Sequence, residues 1–193
     1  MGDVILKSIT LSSLEERYLE LSSSLVRTPT VKLTSPFLID LIKASQIYLK
    51  LECFQYSGTF KARGALSVAK QIPEKDKKFG ITAASAGNHA IAAAWAAKVE
   101  NLSAKVVMQT SANPFRISLA KTYGAEIIMK EGGVATFAEA DKLVREEKRT
   151  FIHPFDGVDT TLGAAGVGLE LIKDCTELDA VVVAVGGGGL MSG

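Results

Sequence analysis

No apolar run in the chain approaches the ~20 residues that a membrane helix needs; the longest are Ala90 to Ala97 and Ala180 to Val185. Nor is there an excess of either charge. The 22 basic residues nearly cancel the 21 acidic ones, and no stretch concentrates one sign, which argues against a nucleic-acid footprint or an acidic tail. Cysteine is scarce: Cys53 and Cys175 lie far apart outside any CxxC spacing, so buried thiols in a reducing compartment are expected and no metal site is assigned. The opening MGDVILKSIT lacks a basic segment followed by a long apolar one, and Leu6 stands where a myristoylation signal needs Ser or Thr. Cytoplasmic residence and a small-molecule partner, with no nucleic acid and no membrane, are the expectations that remain.

What is present is a chain of 193 residues, 47% hydrophobic, enough for one domain or two small ones with a real core. After an amphipathic start at Ser12 to Ser24 and loops at Pro29 and Pro36, strand-like and helix-like segments alternate. The strand candidates are 47–51, 80–83, 105–109, 126–129, 150–152 and 180–185; the helical patterns fill 59–71, 88–98, 114–123, 135–147 and 161–173. Such alternation predicts an α/β fold of βαβ units, with parallel sheets covered by helices. "IPEKDKK", Ile72 to Lys78, reads as a linker, and a second junction is expected near Arg149.

Three stretches carry chemistry. In "SGTFKARGA", helical spacing puts Lys61 on one stripe with Ala65, Val68 and Ile72, opposite Arg63, Ser67, Lys70 and Gln71. An ammonium at the head of an apolar stripe costs free energy unless it is paired, neutralised or bonded. In "SAGNH", the strand before Ser85 turns into the alanine-rich helix that begins near Asn88, a turn whose N–H groups suit a carboxylate or phosphate; plain helix capping by Ser85 or Asn88 is the alternative. In "AVVVAVGGGGLMSG", an apolar run enters four glycines, Gly186 to Gly189, where a ligand can approach the main chain. The dinucleotide pattern GxGxxG fails here, and Gly188 to Gly193 begins like a nucleotide-binding GxxxxGK[ST] loop without reaching its lysine, so a nucleotide-binding module is a weak alternative. A buried-face amine between two anion cups suits a ligand with two anionic ends and a carbonyl-like carbon between them, the layout of an amino acid joined to pyridoxal phosphate.

In this order and separation the three stretches resemble the pyridoxal-phosphate-dependent threonine/serine dehydratases of fold type II, the tryptophan synthase β-like fold. "TPT" at Thr28, "IYLKLE" at Ile47, "YGAE" at Tyr123 and "HPFD" at His153 extend the resemblance along most of the chain. It implies that Lys61 carries the cofactor as a Schiff base and removes the α-proton, that Phe60 packs beside the ring, and that Asn88 bonds its phenolic oxygen. It further implies that Gly186, Gly187, Gly188, Gly189 and Leu190 hold the phosphate, and that Ser85, Ala86, Gly87, Asn88 and His89 receive the substrate carboxylate. Elimination of the β-hydroxyl then converts L-threonine to 2-oxobutanoate, or L-serine to pyruvate, with release of ammonia.

Serine racemases resemble these enzymes but carry serine where this chain has Ala86, which can neither give nor take a proton, so dehydration is favoured. The chain departs from the pattern at Ile91-Ala92 and Ala164-Ala165, where Gln-Gly is frequent. By analogy, residues 1–75 and 150–193 form two parts of a large domain and 76–149 a small one. Because the family continues well beyond the glycine stretch, the large domain is expected to be incomplete, and the chain to associate with itself or to need the missing part; a truncated, non-catalytic relative is the alternative.

Overall fold

The computed structural model describes residues 9–43 and 46–193; the amino-terminal residues read for targeting signals, up to position 8, lie outside that range. The core is a four-stranded parallel sheet of β3 (Ile81–Ala84), β4 (Ala104–Gln109), β5 (Glu126–Lys130) and β6 (Thr150–Phe151), in the order β5-β4-β3-β6. Helix α5 (Asn88–Val99) joins β3 to β4, α6 (Pro114–Thr122) joins β4 to β5, and α7 (Gly132–Glu147) carries the chain back past β4 and β3 to β6. The order therefore reverses between β3 and β6. In an open parallel sheet, ligands bind at such a reversal, outside the carboxyl ends of the strands.

Alternation along the strands explains why helices cover both faces. Ile81, Ala83, Val106 and Met108 point into one core with α5, while Ala84 and Val107 point into another with Ala140 and Leu143 of α7. Helix α5 is buried from His89 to Ala97. Its alanines let it fit between the sheet and α3 (Lys61–Lys70), and Tyr56 stacks on Trp95 with centroids 5.2 Å apart.

Helix α1 (Leu11–Ser22) begins at Thr10, whose side chain exchanges hydrogen bonds with Ser13 in a capping box. Two segments expected as loops are ordered: β1 (Thr30–Lys32), and α2 (Pro36–Ile42), which Pro36 opens at a position where its missing N–H costs nothing. The strand expected at 47–51 is β2 (Tyr48–Lys50), but it pairs antiparallel with β1 in a separate ribbon rather than joining the parallel sheet. The "IPEKDKK" stretch contains the one-turn helix α4 (Glu74–Lys77). The last long helical pattern is split at Ala165 into α8 (Val158–Ala164) and α9 (Gly166–Asp174).

The strand expected over 180–185 does not form. Val181, Val182 and Val185 are exposed, Val182 at 99%. β-branched composition favours a pleated, half-buried surface, yet a strand exists through ladder bonds, and no described strand lies beside this segment. The chain closes with α10 (Gly189–Ser192).

A buried ion cluster fixes α3. Arg63, 1% exposed, grips Glu52 with Nε and Nη2, each at 2.8 Å, and Glu170 with Nη1 and Nη2 at 2.9 and 3.0 Å. Lys50 lies 2.7 Å from Glu170. Burial raises the Glu170 carboxyl, but the bonds from Arg63 and Lys50 outweigh it and hold the group below the usual carboxylate range. The polar stripe of α3 thus faces protein: Ser67 is also buried, and α8 crosses so closely that a Cβ on Gly163 would stand 2.5 Å from the Arg63 carbonyl oxygen.

Candidate active site

Lys61 is the first residue of α3, directly after Phe60. Its side chain is half-buried, its Nζ donates to the Pro154 carbonyl, and it lies 4.9 Å from the centroid of the Phe60 ring. Burial lowers its pKa from the ordinary lysine value, and among the described residues no carboxylate pairs with it. The stripe position read from the sequence therefore delivers a desolvated, unpaired primary amine.

The turn after β3 presents its backbone. Gly87 is the N-cap of α5 and no side chain caps the helix; Ser85 Oγ instead accepts from the Gly87 N–H at 3.1 Å. Capping by Ser85 or Asn88 is thus not what this turn does. Ser85, Ala86 and Gly87 are half-buried, and Asn88 projects into solvent. His89 turns the other way, only 4% exposed, its Nε2–H donating to the Ile152 carbonyl at 2.8 Å. Burial drives its pKa down to about 4, helped by Lys61 and His153 and opposed by the Ile152 bond, so the ring is neutral.

The loop after β6 supplies residues that motif reading did not single out. His153 Nδ1 accepts from the N–H of Asp156 at 2.9 Å and of Phe155 at 3.3 Å, which places the ring proton on Nε2 and fixes the ring. Burial lowers the His153 pKa, with Asp156 opposing. One pocket is lined by Phe60, Lys61, Gly64 and Ala65 of the α3 region, His89, His153 and Pro154, Thr160 and Ala164 of α8, and Gly189. Only the "HPFD" resemblance signalled the loop. Nothing in the sequence signalled Thr160, and Gly64 was only part of the "SGTFKARGA" stretch with no role read for it; both reach the pocket through the crossing of α3 and α8. Ala164, one of the departures from the Gln-Gly pattern, lies on the pocket wall.

Of the expected site residues, the pocket gathers Lys61, Phe60, His89 and Gly189. Ser85 to Asn88 form the adjoining turn, while Gly186, Gly187, Gly188 and Leu190 lead up to or follow Gly189 outside the lining. Part of the glycine requirement comes from the protein itself: a Cβ on Gly187 would stand 2.3 Å from the Phe155 ring and one on Gly189 2.8 Å from Phe155 Cα. Gly188 holds φ at 87°, which favours glycine. A desolvated amine and a glycine bend sharing one pocket, beside a turn of uncapped N–H groups, fit a phosphorylated aldehyde.

Comparison with known proteins agrees with this geometry. A family model described as "Pyridoxal-phosphate dependent enzyme" matches residues 21–193. Phenylserine dehydratase of Ralstonia pickettii is 44% identical over 152 residues, 79% of this chain and 47% of the relative. The catabolic L-threonine dehydratase TdcB of Staphylococcus aureus is 36% identical over 186 residues, 96% of this chain and 53% of the relative. Among solved structures, maize serine racemase superposes with a TM-score of 0.88 at 30% identity, covering 95% of this chain and 55% of that one. The chain spans about half the length of the curated relatives it matches. With its α/β architecture, its pocket amine and its sequence in agreement, the chain belongs to the family of pyridoxal-phosphate-dependent enzymes of fold type II.

Proposed function

We propose that the protein acts as a hydroxyamino-acid ammonia-lyase, converting L-threonine to 2-oxobutanoate, or L-serine to pyruvate, with release of ammonia. The observation that carries this reading is the unpaired, desolvated Lys61 amine in a pocket shared with the glycine bend. When bound, pyridoxal phosphate supplies an electron sink for negative charge at the substrate α-carbon. Lys61 Nζ would hold the cofactor and, when free, would be the group placed to take the α-proton, for which its lowered pKa keeps a larger neutral fraction. Phe60 would pack against the ring, and Asn88, at the open edge of the turn, would orient its phenolic oxygen. The amides of Gly186 to Leu190 would hold the phosphate, and the Ser85 to His89 turn would receive the substrate carboxylate. His89 stays neutral and adds no charge beside the amine, and burial lowers the His153 pKa in the same direction.

Water leaves from the β-carbon, and hydrolysis of the resulting imine gives ammonia and the 2-oxo acid. Ala86 offers no proton from the turn side, which favours elimination over racemisation despite the likeness to a serine racemase. In this reading residues 76–149 form the small domain between two parts of the large one, and the working assembly includes a second copy or further polypeptide. The test is borohydride reduction of the protein mixed with pyridoxal phosphate: a yellow chromophore that borohydride bleaches, leaving the reduced cofactor covalently on Lys61, and that is absent from Lys61→Ala is expected, together with ammonia release from threonine. A label spread over surface lysines, unchanged in Lys61→Ala, would overturn the reading.

A further inference from the structure

The reaction above asks Lys61 to serve twice, as the anchor of the cofactor and as a free amine, and the structure shows where a free amine rests. Its Nζ donates to the Pro154 carbonyl. Among the described residues no backbone N–H takes that oxygen, so the lysine is the donor that satisfies it, inside the pocket that Lys61, His89, His153 and Pro154 line together. The acceptor carries no charge. Burial alone moves the Lys61 pKa, with no carboxylate acting on the amine.

The segment that presents this oxygen is pinned on both sides. Before it, the Ile152 N–H donates to the Thr82 carbonyl of β3 at 2.9 Å, and the Ile152 carbonyl accepts from His89 Nε2 at 2.8 Å. After it, His153 Nδ1 accepts from the N–H of Phe155 at 3.3 Å and of Asp156 at 2.9 Å, and Asp156 Oδ1 accepts from the Gly157 N–H at 2.8 Å. Phe155 packs against Gly187 and Gly189 of the bend, and Pro154 itself has a ring-fixed φ and no N–H to spend elsewhere. The oxygen is held still, and the flexible lysine comes to it.

A carbonyl suits a working base better than a carboxylate would. A carboxylate beside Nζ would favour the ammonium and leave little neutral amine, whereas a carbonyl takes one N–H of the neutral amine and leaves its lone pair free. When that lone pair takes the α-proton, the electron pair of the broken C–H bond stays with the substrate, and the bond to Pro154 becomes charge-assisted and so strengthens. The Phe60 ring, 4.9 Å from Nζ, favours the same charge. Resting on the dehydratase reading, we propose that the Pro154 carbonyl is the dock of the free Lys61 amine, and that His89 and His153 are positioning residues that hold the docking segment in place.

The dock can be tested apart from the reaction. In the cofactor-free chain labelled with carbon-13, the Pro154 carbonyl resonance is expected to follow the titration of the Lys61 side chain, and that step is expected to vanish in Lys61→Met, while any step from His89 or His153 stays. A Pro154 resonance with no step at the Lys61 pKa overturns the dock. Replacing Phe155 by its α-hydroxy acid turns the Pro154 carbonyl into an ester, a weaker acceptor, and is expected to lower the Lys61 pKa by about half a unit or more. The same replacement at Asp156 removes the other N–H on His153 but leaves the Pro154 carbonyl an amide, and is expected to leave the Lys61 pKa where it was. Equal shifts in the two esters overturn the dock. With cofactor and threonine present, the ester made at Phe155 is expected to lower kcat at least about threefold relative to the one at Asp156, with KM little changed, because the dock holds the amine only once it is free; equal kcat values would overturn its part in the reaction. Should the unmodified protein release no ammonia, the dehydratase reading falls while the titrations still decide the dock.

Discussion

His89 shows how one side chain couples the site to the stability of the fold. In the unfolded chain its imidazole takes a proton near pH 6.5, whereas in the buried site it stays neutral down to about 4. Between those values the unfolded state binds more protons, so stability falls as pH drops through that window and is unaffected by this group above it. The slope of unfolding free energy against pH is expected to be steeper in the unmodified protein than in His89→Gln, by up to about one proton, in urea titrations between pH 7 and 4. Coincident slopes would show that His89 is protonated in the folded protein. At this scale the sequence was informative where a residue broke its local pattern. Lys61 stood out as a charge on an apolar stripe, and the structure places its amine in a half-buried pocket. His153 gave no such signal on its own, because its place beside Lys61 depends on β6 pairing with β3, a contact set by long-range topology.

Among elements, the crossing of α3 and α8 is the contact most sensitive to a small change. Gly163 permits it: a Cβ there would stand 2.5 Å from the Arg63 oxygen and 2.6 Å from the Ser67 Cβ, both in the middle of α3. Alanine gains about 1 kcal/mol of helix propensity over glycine, but forcing the helices apart costs typically 1–3 kcal/mol or more, so overpacking wins. Gly163→Ala is expected to lower the urea midpoint with little change in m, and to weaken cofactor binding because Thr160 and Ala164 move with α8. An unchanged midpoint would mean that the helices separate freely. Periodicity identified α3, α5, α6 and α7 because each carries an apolar stripe or run, and it identified β3 to β6 because they are short apolar runs between helices. It could not say what packs on the polar stripe of α3, where Arg63 and Ser67 turn out to be buried. It misread 180–185 because the composition of a strand is local, whereas its hydrogen-bonding partner is not.

For the whole molecule, the reversal between β3 and β6 brings the turn after β3 and the loop after β6 to one crevice, and the His89 to Ile152 bond links them there. Alternating strands and helices announced a parallel sheet, but strand order came only from the fold. Apolar surface is also left open at Phe37, Leu41, Ile172 and Val182. Patches of this kind favour association. Sedimentation of the 193-residue chain is expected to show a mass that rises with concentration, together with enhanced fluorescence of a hydrophobic dye; a dye-silent monomer at all concentrations would contradict this.

Arg63 lies two positions beyond Lys61, and its grip reaches back to Glu52 and forward to Glu170, a carboxylate 107 residues downstream. A ribosome must therefore have released more than four-fifths of this sequence before the guanidinium meets its second acid and α3 is locked in place. The nascent polypeptide cannot close this cluster any earlier.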